Sequence, residues 1–239
     1  MKHFLFAITL FINIISCNQE DPNRTKLDKI HEVIVSDPVR ALQMLDSIDF
    51  KHLTSSKLRA RYSLLYSVAL DRNYIDISND SIIAPALKYY SRHGSLNEQC
   101  AVHYYTARIY ENAGELEKSM LSLAKMSKID TSKVQAGILR RIYFLKGRIY
   151  ESIWRREESI EAYETAIRYA HKDHDLDNYI QGNLIAASLY FTSGQPEKCH
   201  NIINGISEYR NVFSERNFHY FHDLNLALCL RATSLVTLL

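Results

Sequence analysis

The chain has 239 residues, 46% of them hydrophobic and 23% charged, with a net charge of +2. That length and balance exclude a disordered segment and a wholly membrane-embedded one, and leave room for a sizeable core. Opposite charges are interspersed and no basic run is longer than Arg140-Arg141 or Arg155-Arg156, so no field steers nucleic acid and none is expected as a partner. With only 7 Gly and 4 Pro, tight β-turns are scarce, and long stretches of Ala, Leu, Glu, Lys and Arg favour helix almost throughout.

The first element is not part of the fold. MKHFLFAITLFINIISC, residues 1–17, places Lys2 before an apolar run from Phe4 to Ile15 broken only by Thr9 and Asn13. The run is too short to span a bilayer as a mature helix and has the length and flanks of a secretory signal. Its end, Ile14-Ile15-Ser16-Cys17, resembles the lipobox of bacterial lipoproteins, with Ile15 standing where a smaller residue is usual. That resemblance implies a signal peptide over 1–16, lipidation at Cys17, a polar tether over 17–24 and a lipid anchor in the bacterial cell envelope. The outer membrane or the periplasmic face would be its place. An ordinary signal cleaved nearby, with Cys17 incidental, is the other reading. Removing Cys17 leaves Cys100, Cys199 and Cys229, an odd number without metal-ligand spacing and not a disulfide framework. Cys199 falls where a small core residue is wanted.

From residue 25 onward helix signals follow one another. Ser36-Asp37-Pro38 caps a helix carrying Ala41, Leu45 and Ile48, since Asp accepts from the first free amides and Pro suits the first turn. Ser67 and Leu70 lie on the next helix, and a long turn from Asp71 to Asn79 follows. Asn79-Asp80-Ser81 then starts a helix with Ile83, Leu87 and Tyr90. Beyond this point the chain repeats itself. ARIYENAGELEKS, residues 107–119, returns as GRIYESIWRREES, residues 147–159. The match is a period of 40: Tyr110, Tyr150 and Tyr190, then Leu230, each preceded three residues earlier by Ala107, Gly147, Ala187 or Ala227. Four residues after each stands Gly114, Trp154, Gly194 or Ser234, and Ser119, Ser159 and Cys199 follow, then Leu123, Tyr163 and Ile203, then Met126, Ala166 and Ile206. A period of this length reads as a solenoid of antiparallel helix hairpins, each too small to bury its apolar faces without neighbours.

The small residue, Tyr, turn Gly, small residue, aromatic and Ala resemble the tetratricopeptide repeat, best met by Gly147, Tyr150, Ser159, Tyr163 and Ala166. Departures are Lys146 in place of an aliphatic residue, Trp154 in place of the turn Gly and Asn183 at an aromatic position. The resemblance implies an all-α, right-handed α-solenoid over 25–239, and with the lipobox a tetratricopeptide-repeat lipoprotein of a Gram-negative envelope. Its repeats are expected near 25–50, 55–93, 97–129, 137–171 and 177–208, with a half repeat at 217–239. The unit in the family is about 34 residues, and the surplus is expected between hairpins, as at His171 to Asp177. Gly147 is expected at a close approach, and Gly182 outside the pattern.

No catalytic motif is present: no G-x-S-x-G, no phosphate-binding loop, no H-E-x-x-H. The expectation is a protein without enzymatic activity, cofactor or metal. His171 and His174, with Asp173 and Asp175, read as a solvated turn, and His219 and His222 as decoration of a helix's first turn. What remains is a binding surface. In tetratricopeptide proteins the first helices line a concave groove, and carried over residue by residue this implies Tyr104, Tyr105, Arg108, Glu111, Arg141, Phe144, Arg148, Glu151 and Phe191. Arg108 above Arg148 would form a cationic step suited to a carboxylate or an extended peptide. The competing reading is that Arg108 with Glu111 and Arg148 with Glu151 satisfy each other as i, i+3 pairs.

Three functions stay open: an envelope-anchored protein- or peptide-binding scaffold, the extracytoplasmic sensory part of a longer signalling protein, and a glycan-capturing surface lipoprotein. The last segment, Asn217 to Leu239, is rich in Leu where a solenoid normally closes with a polar face. It predicts either a fragment of a longer protein or self-association through 215–239, a helix folded back as an irregular cap being the alternative.

Overall fold

The computed structural model describes residues 22–236, with side chains to 231; residues 1–21, including Cys17, and 237–239 lie outside the described residues. Among the described residues all regular structure is helical: α1 (Pro22–Val33), α2 (Pro38–Asp46), α3 (Ser56–Arg72), α4 (Ala84–His93), α5 (Leu96–Asn112), α6 (Leu116–Ala124), α7 (Ala136–Ser152), α8 (Arg156–Lys172), α9 (Leu176–Thr192), α10 (Pro196–Ile206) and α11 (Glu215–Val236), with short 3₁₀ turns between some of them. Most helices pack mainly on their neighbours in the chain, and first helices of successive hairpins also touch, α1 on α3, α3 on α5, α5 on α7 and α9 on α11. The expected all-α solenoid of stacked hairpins is what the chain forms.

The period is written most strictly in the first helices. α3, α5, α7 and α9 each have 17 residues, and begin at Ser56, Leu96, Ala136 and Leu176. Side chains of Ser55 and Asp175 accept the Leu58 and Asn178 amides at 3.2 Å, and Ser95 forms a reciprocal capping box with Glu98. All four end in the same way, with a left-handed residue at Tyr74, Gly114, Trp154 and Gly194 (φ 57°, 75°, 62° and 75°). The next amide then donates back to the carbonyl of Leu70, Tyr110, Tyr150 or Tyr190 at 2.8–3.0 Å, which satisfies a carbonyl the helix end would orphan.

The small residues of the repeat are also explained. Ser119 Oγ donates to the Ala107 carbonyl at 2.7 Å and Ser159 Oγ to that of Gly147 at 3.0 Å, pinning second helix to first where the backbones are nearest. Cys199, fully buried, takes the equivalent place. The second helices and connections vary instead. The surplus at His171 to Asp177 is not a long linker: α8 runs on through Lys172, α9 starts at Leu176, and only Asp173–Asp175 turn between them. Here the extra residues lengthen α8 to 17; after α6 they form 3₁₀ turns. His219 and His222 likewise lie within α11, past its first turn, and are exposed. Helix α11 lies over most of the segment expected as a half repeat, 217–239, of which the side chains from 232 onward and residues 237–239 lie outside the described residues.

Gly182 corrects the register reading. It is buried, and a Cβ there would lie 2.6 Å from Ile167 Cγ1 and 3.2 Å from Phe144 Cζ. It is a second close approach, between α9 and the α7–α8 hairpin.

Candidate functional site

The first helices α5, α7 and α9 bring five of the nine expected groove residues around one cavity of about 200 Å³: Tyr104, Arg108, Arg141, Phe144 and Arg148. Arg140, Leu145, Tyr163, Asn178, Gln181 and Ile185 complete its wall. Tyr104 and Tyr105 meet edge to face at 4.9 Å and are buried; Tyr104 lines the cavity and Tyr105 lies outside its lining. Phe144 packs edge to face on Tyr163 at 5.8 Å. Phe191 lies elsewhere, half-buried under the guanidinium of Arg231 at 5.6 Å, where α9 meets α11.

The carboxylates divide unevenly among the arginines. Arg108 contacts Glu111 and Asn112 on its own helix, and Asp76 at 3.1 Å and Asp71 at 3.5 Å across the turn after α3. The i, i+3 pair with Glu111 therefore forms. The pair expected between Arg148 and Glu151 does not: Arg148 reaches to Glu111, one repeat earlier, and Glu151 accepts the Tyr163 hydroxyl at 3.2 Å. Glu111 thus serves both steps of the cationic pair.

Two arginines are left short of negative charge. Arg141 donates to the Tyr105 hydroxyl at 2.8 Å and has no carboxylate within 4.0 Å among the described residues. Arg140, which the sequence reading passed over, is the decisive addition. Its side chain is 10% exposed and pairs with Asp175 at 2.9 Å, yet its Nε is buried with no hydrogen-bond partner. The Nε of Arg72, at the end of α3, is in the same position. Burial pulls the Arg140 pKa below its usual value; Asp175 opposes this and Arg141 adds to it. Burial and then Arg141 lower that of Arg72 as well. Both shifts come first from burial, with the neighbouring Arg141 adding to them. An unmet buried donor costs about 1–3 kcal/mol. The signal in the sequence was the pair Arg140-Arg141 between Leu139 and Ile142, a cation at a position the helix turns inward.

Residues 141–173 match the family model of the tetratricopeptide repeat. The matched stretch is almost wholly the α7–α8 hairpin, where Gly147, Ser159 and Tyr163 make the close contact and from which Arg141, Phe144 and Arg148 reach the cavity. Comparisons with curated proteins and with solved structures found no match. A tetratricopeptide repeat suggests a protein-interaction scaffold, and the groove of first helices is where its residues converge. Among the described residues, the His171–His174 turn included, no three His, Cys, Asp or Glu side chains are grouped to hold an ion. His174 takes a left-handed conformation (φ 54°) that closes α8, while Asp175 caps α9.

Proposed function

We propose that the chain is a non-enzymatic scaffold that captures a protein partner by an acidic segment, seating a carboxylate between Arg141 and Arg140 in the groove of α5, α7 and α9. One observation carries this reading: the cavity presents a guanidinium without a carboxylate beside a buried, unpartnered guanidinium nitrogen. Arg offers a planar fork of donors that fits a carboxylate in two contacts, and Tyr104, Phe144 and Tyr163 give an adjacent side chain an aromatic wall. The lack of any catalytic motif in the sequence supports the absence of enzymatic activity. Trp154 is outside the cavity lining, which favours a peptide over a glycan there.

The partner is met in the cell envelope, with the chain held by lipid on Cys17. The Lys2-to-Cys17 pattern supports this, and no described helix is long and apolar enough to cross a membrane. Self-association through α11 is part of the proposal, since Phe218 and Leu226 expose about half their surface.

The deciding experiment is a titration of the full chain with a fluorescent peptide ending in Asp-Asp, against the same peptide amidated with Asn-Asn. Binding of the first should fall roughly tenfold or more with Arg141→Ala. Equal binding of both peptides, or indifference to Arg141→Ala, overturns the groove reading. Labelling with a fatty-acid analogue should mark the wild type and spare Cys17→Ala; equal labelling ends the anchor proposal. Light scattering that finds monomers with both Leu226 and Lys at that position ends the self-association proposal.

A further inference from the structure

A second cleft, of about 570 Å³, lies between the start of α3 and the outward face of α4. Its floor is apolar: Phe50 from the 3₁₀ turn before α3, Ala84 and Pro85 from the first turn of α4, and Tyr89 one turn later. Phe50 is held by Tyr62 at 5.5 Å, and Tyr89 by Tyr90 at 5.3 Å, so both rings are fixed before anything arrives. Arg59, Lys88, Arg92 and His93 stand around the rim, and no acidic residue lines the cleft.

Several cations elsewhere are met by carboxylates: Arg61 by Asp28, Lys133 by Asp130, Arg155 by Glu158, Arg140 by Asp175. Arg59 gives its Nε to the Leu53 carbonyl at 2.9 Å, and Arg59, Lys88 and Arg92 have no carboxylate within 4.0 Å among the described residues. The acids next in sequence to the lining are engaged elsewhere. Asp49 takes the Lys51 amide at 2.9 Å and His52 at 3.2 Å, and Asp80 takes the Tyr110 hydroxyl at 2.8 Å. The cleft touches α3 at Ser56 and Arg59, whereas Arg72 of the arginine cluster ends that helix, about 20–24 Å along its axis. The two surfaces are separate.

We infer that this cleft is a second docking site, taking an acidic peptide segment by one aromatic or long aliphatic side chain. The recess supplies the apolar burial and the rim the charge complementarity that orients and speeds the encounter. Concavity decides the occupant. A lipid surface is met by apolar side chains that protrude, whereas here the apolar residues line a recess together with the cations, which suits a side chain inserted from an extended or helical segment. With the groove of first helices occupied by one partner, this face holds another.

The test uses the full chain and a short fluorescein-labelled peptide of alternating Glu and Ser around a single Trp, read by fluorescence anisotropy. Its Trp→Ser and Glu→Lys counterparts and phosphatidylglycerol vesicles serve as competing probes. The acidic Trp peptide should bind, its affinity falling roughly tenfold with Lys88→Glu/Arg92→Glu and likewise with Ala84→Trp, which fills the recess without changing charge. Arg141→Glu should leave it unmoved. No binding, equal binding of the Trp→Ser peptide, sensitivity to Arg141→Glu but not to the cleft variants, or displacement of the peptide by vesicles would each overturn the assignment. Failure here leaves the groove reading intact, since the two respond to different variants.

Discussion

A Cβ built on Gly147 would lie 2.8 Å from Cζ of Tyr163 and 2.9 Å from two further ring carbons. The ring has nowhere to go, because Tyr163 is 1% exposed and its hydroxyl is held by Glu151. At Gly182 the obstacle is Cγ1 of Ile167, whose side chain is only partly buried and so has more room to shift. Both Gly147→Ala and Gly182→Ala are expected to destabilise, Gly147→Ala by about 2–3 kcal/mol and Gly182→Ala by about 1. Thermal unfolding of the two variants checks the order, and a Gly182 variant as stable as wild type would contradict the close approach there.

Trp154 holds the left-handed position that Gly114 and Gly194 hold one repeat away, with 86% of its surface exposed. A side chain in that conformation costs about 1–2 kcal/mol, and little packing offsets it. Trp154→Gly should therefore stabilise by roughly 1 kcal/mol after the extra entropy of Gly, raising the unfolding midpoint by about 2–4 °C. A lower midpoint would mean that the indole contributes packing which its exposure hides.

Arg108 and Arg141 should separate stability from binding. Arg108 is 20% exposed on its side chain and holds together three carboxylates from two helices and a turn. Arg108→Ala strands that charge and should cost on the order of 3 kcal/mol. Arg141→Met removes a cation from a crowded cluster and should shift stability by less than about 1 kcal/mol. Chemical denaturation of both decides: equal losses would show Arg141 to be structural.

His103 faces Lys125 across the α5–α6 hairpin, and its carbonyl accepts the Ser122 hydroxyl at 3.0 Å. Burial first, and then Lys125, depress its pKa below 6.5. The folded state therefore resists the proton that the unfolded chain accepts near its ordinary pKa. Stability is unaffected above about pH 6.5 and falls as the pH drops through it, levelling below the folded pKa. His103→Gln should flatten the loss below about pH 6.5. An unchanged slope would assign the acid sensitivity to other groups.

Much of this architecture was legible because periodicity is a one-dimensional property. The 40-residue spacing of Tyr110, Tyr150 and Tyr190 marks where α5, α7 and α9 end, and the small residues three positions earlier mark where the second helices touch. What escaped the sequence depends on three dimensions. Gly182 is tight because Ile167 and Phe144, 15 and 38 positions earlier, converge on it. Arg140 is a binding candidate only because Asp175 meets one of its nitrogens and nothing meets another. The division of Glu111 between Arg108 and Arg148 follows from side-chain reach across a stacked repeat, for which an i, i+3 rule on one helix has no term.

Because most helices pack chiefly on their neighbours in the chain, the order in which the molecule assembles follows its local strengths. Contacts that are near in sequence carry a small loop-closure cost, so such chains fold fast and from wherever one unit is most self-sufficient. Here that unit is the α7–α8 hairpin, which shares the most extensive interface and carries the repeat match. Amide protection should therefore be highest there and decline toward both termini, each outer hairpin opening before the one inside it. A segment bound across α5, α7 and α9 would bolt together neighbours that otherwise open one at a time, turning a graded unravelling into a single cooperative event.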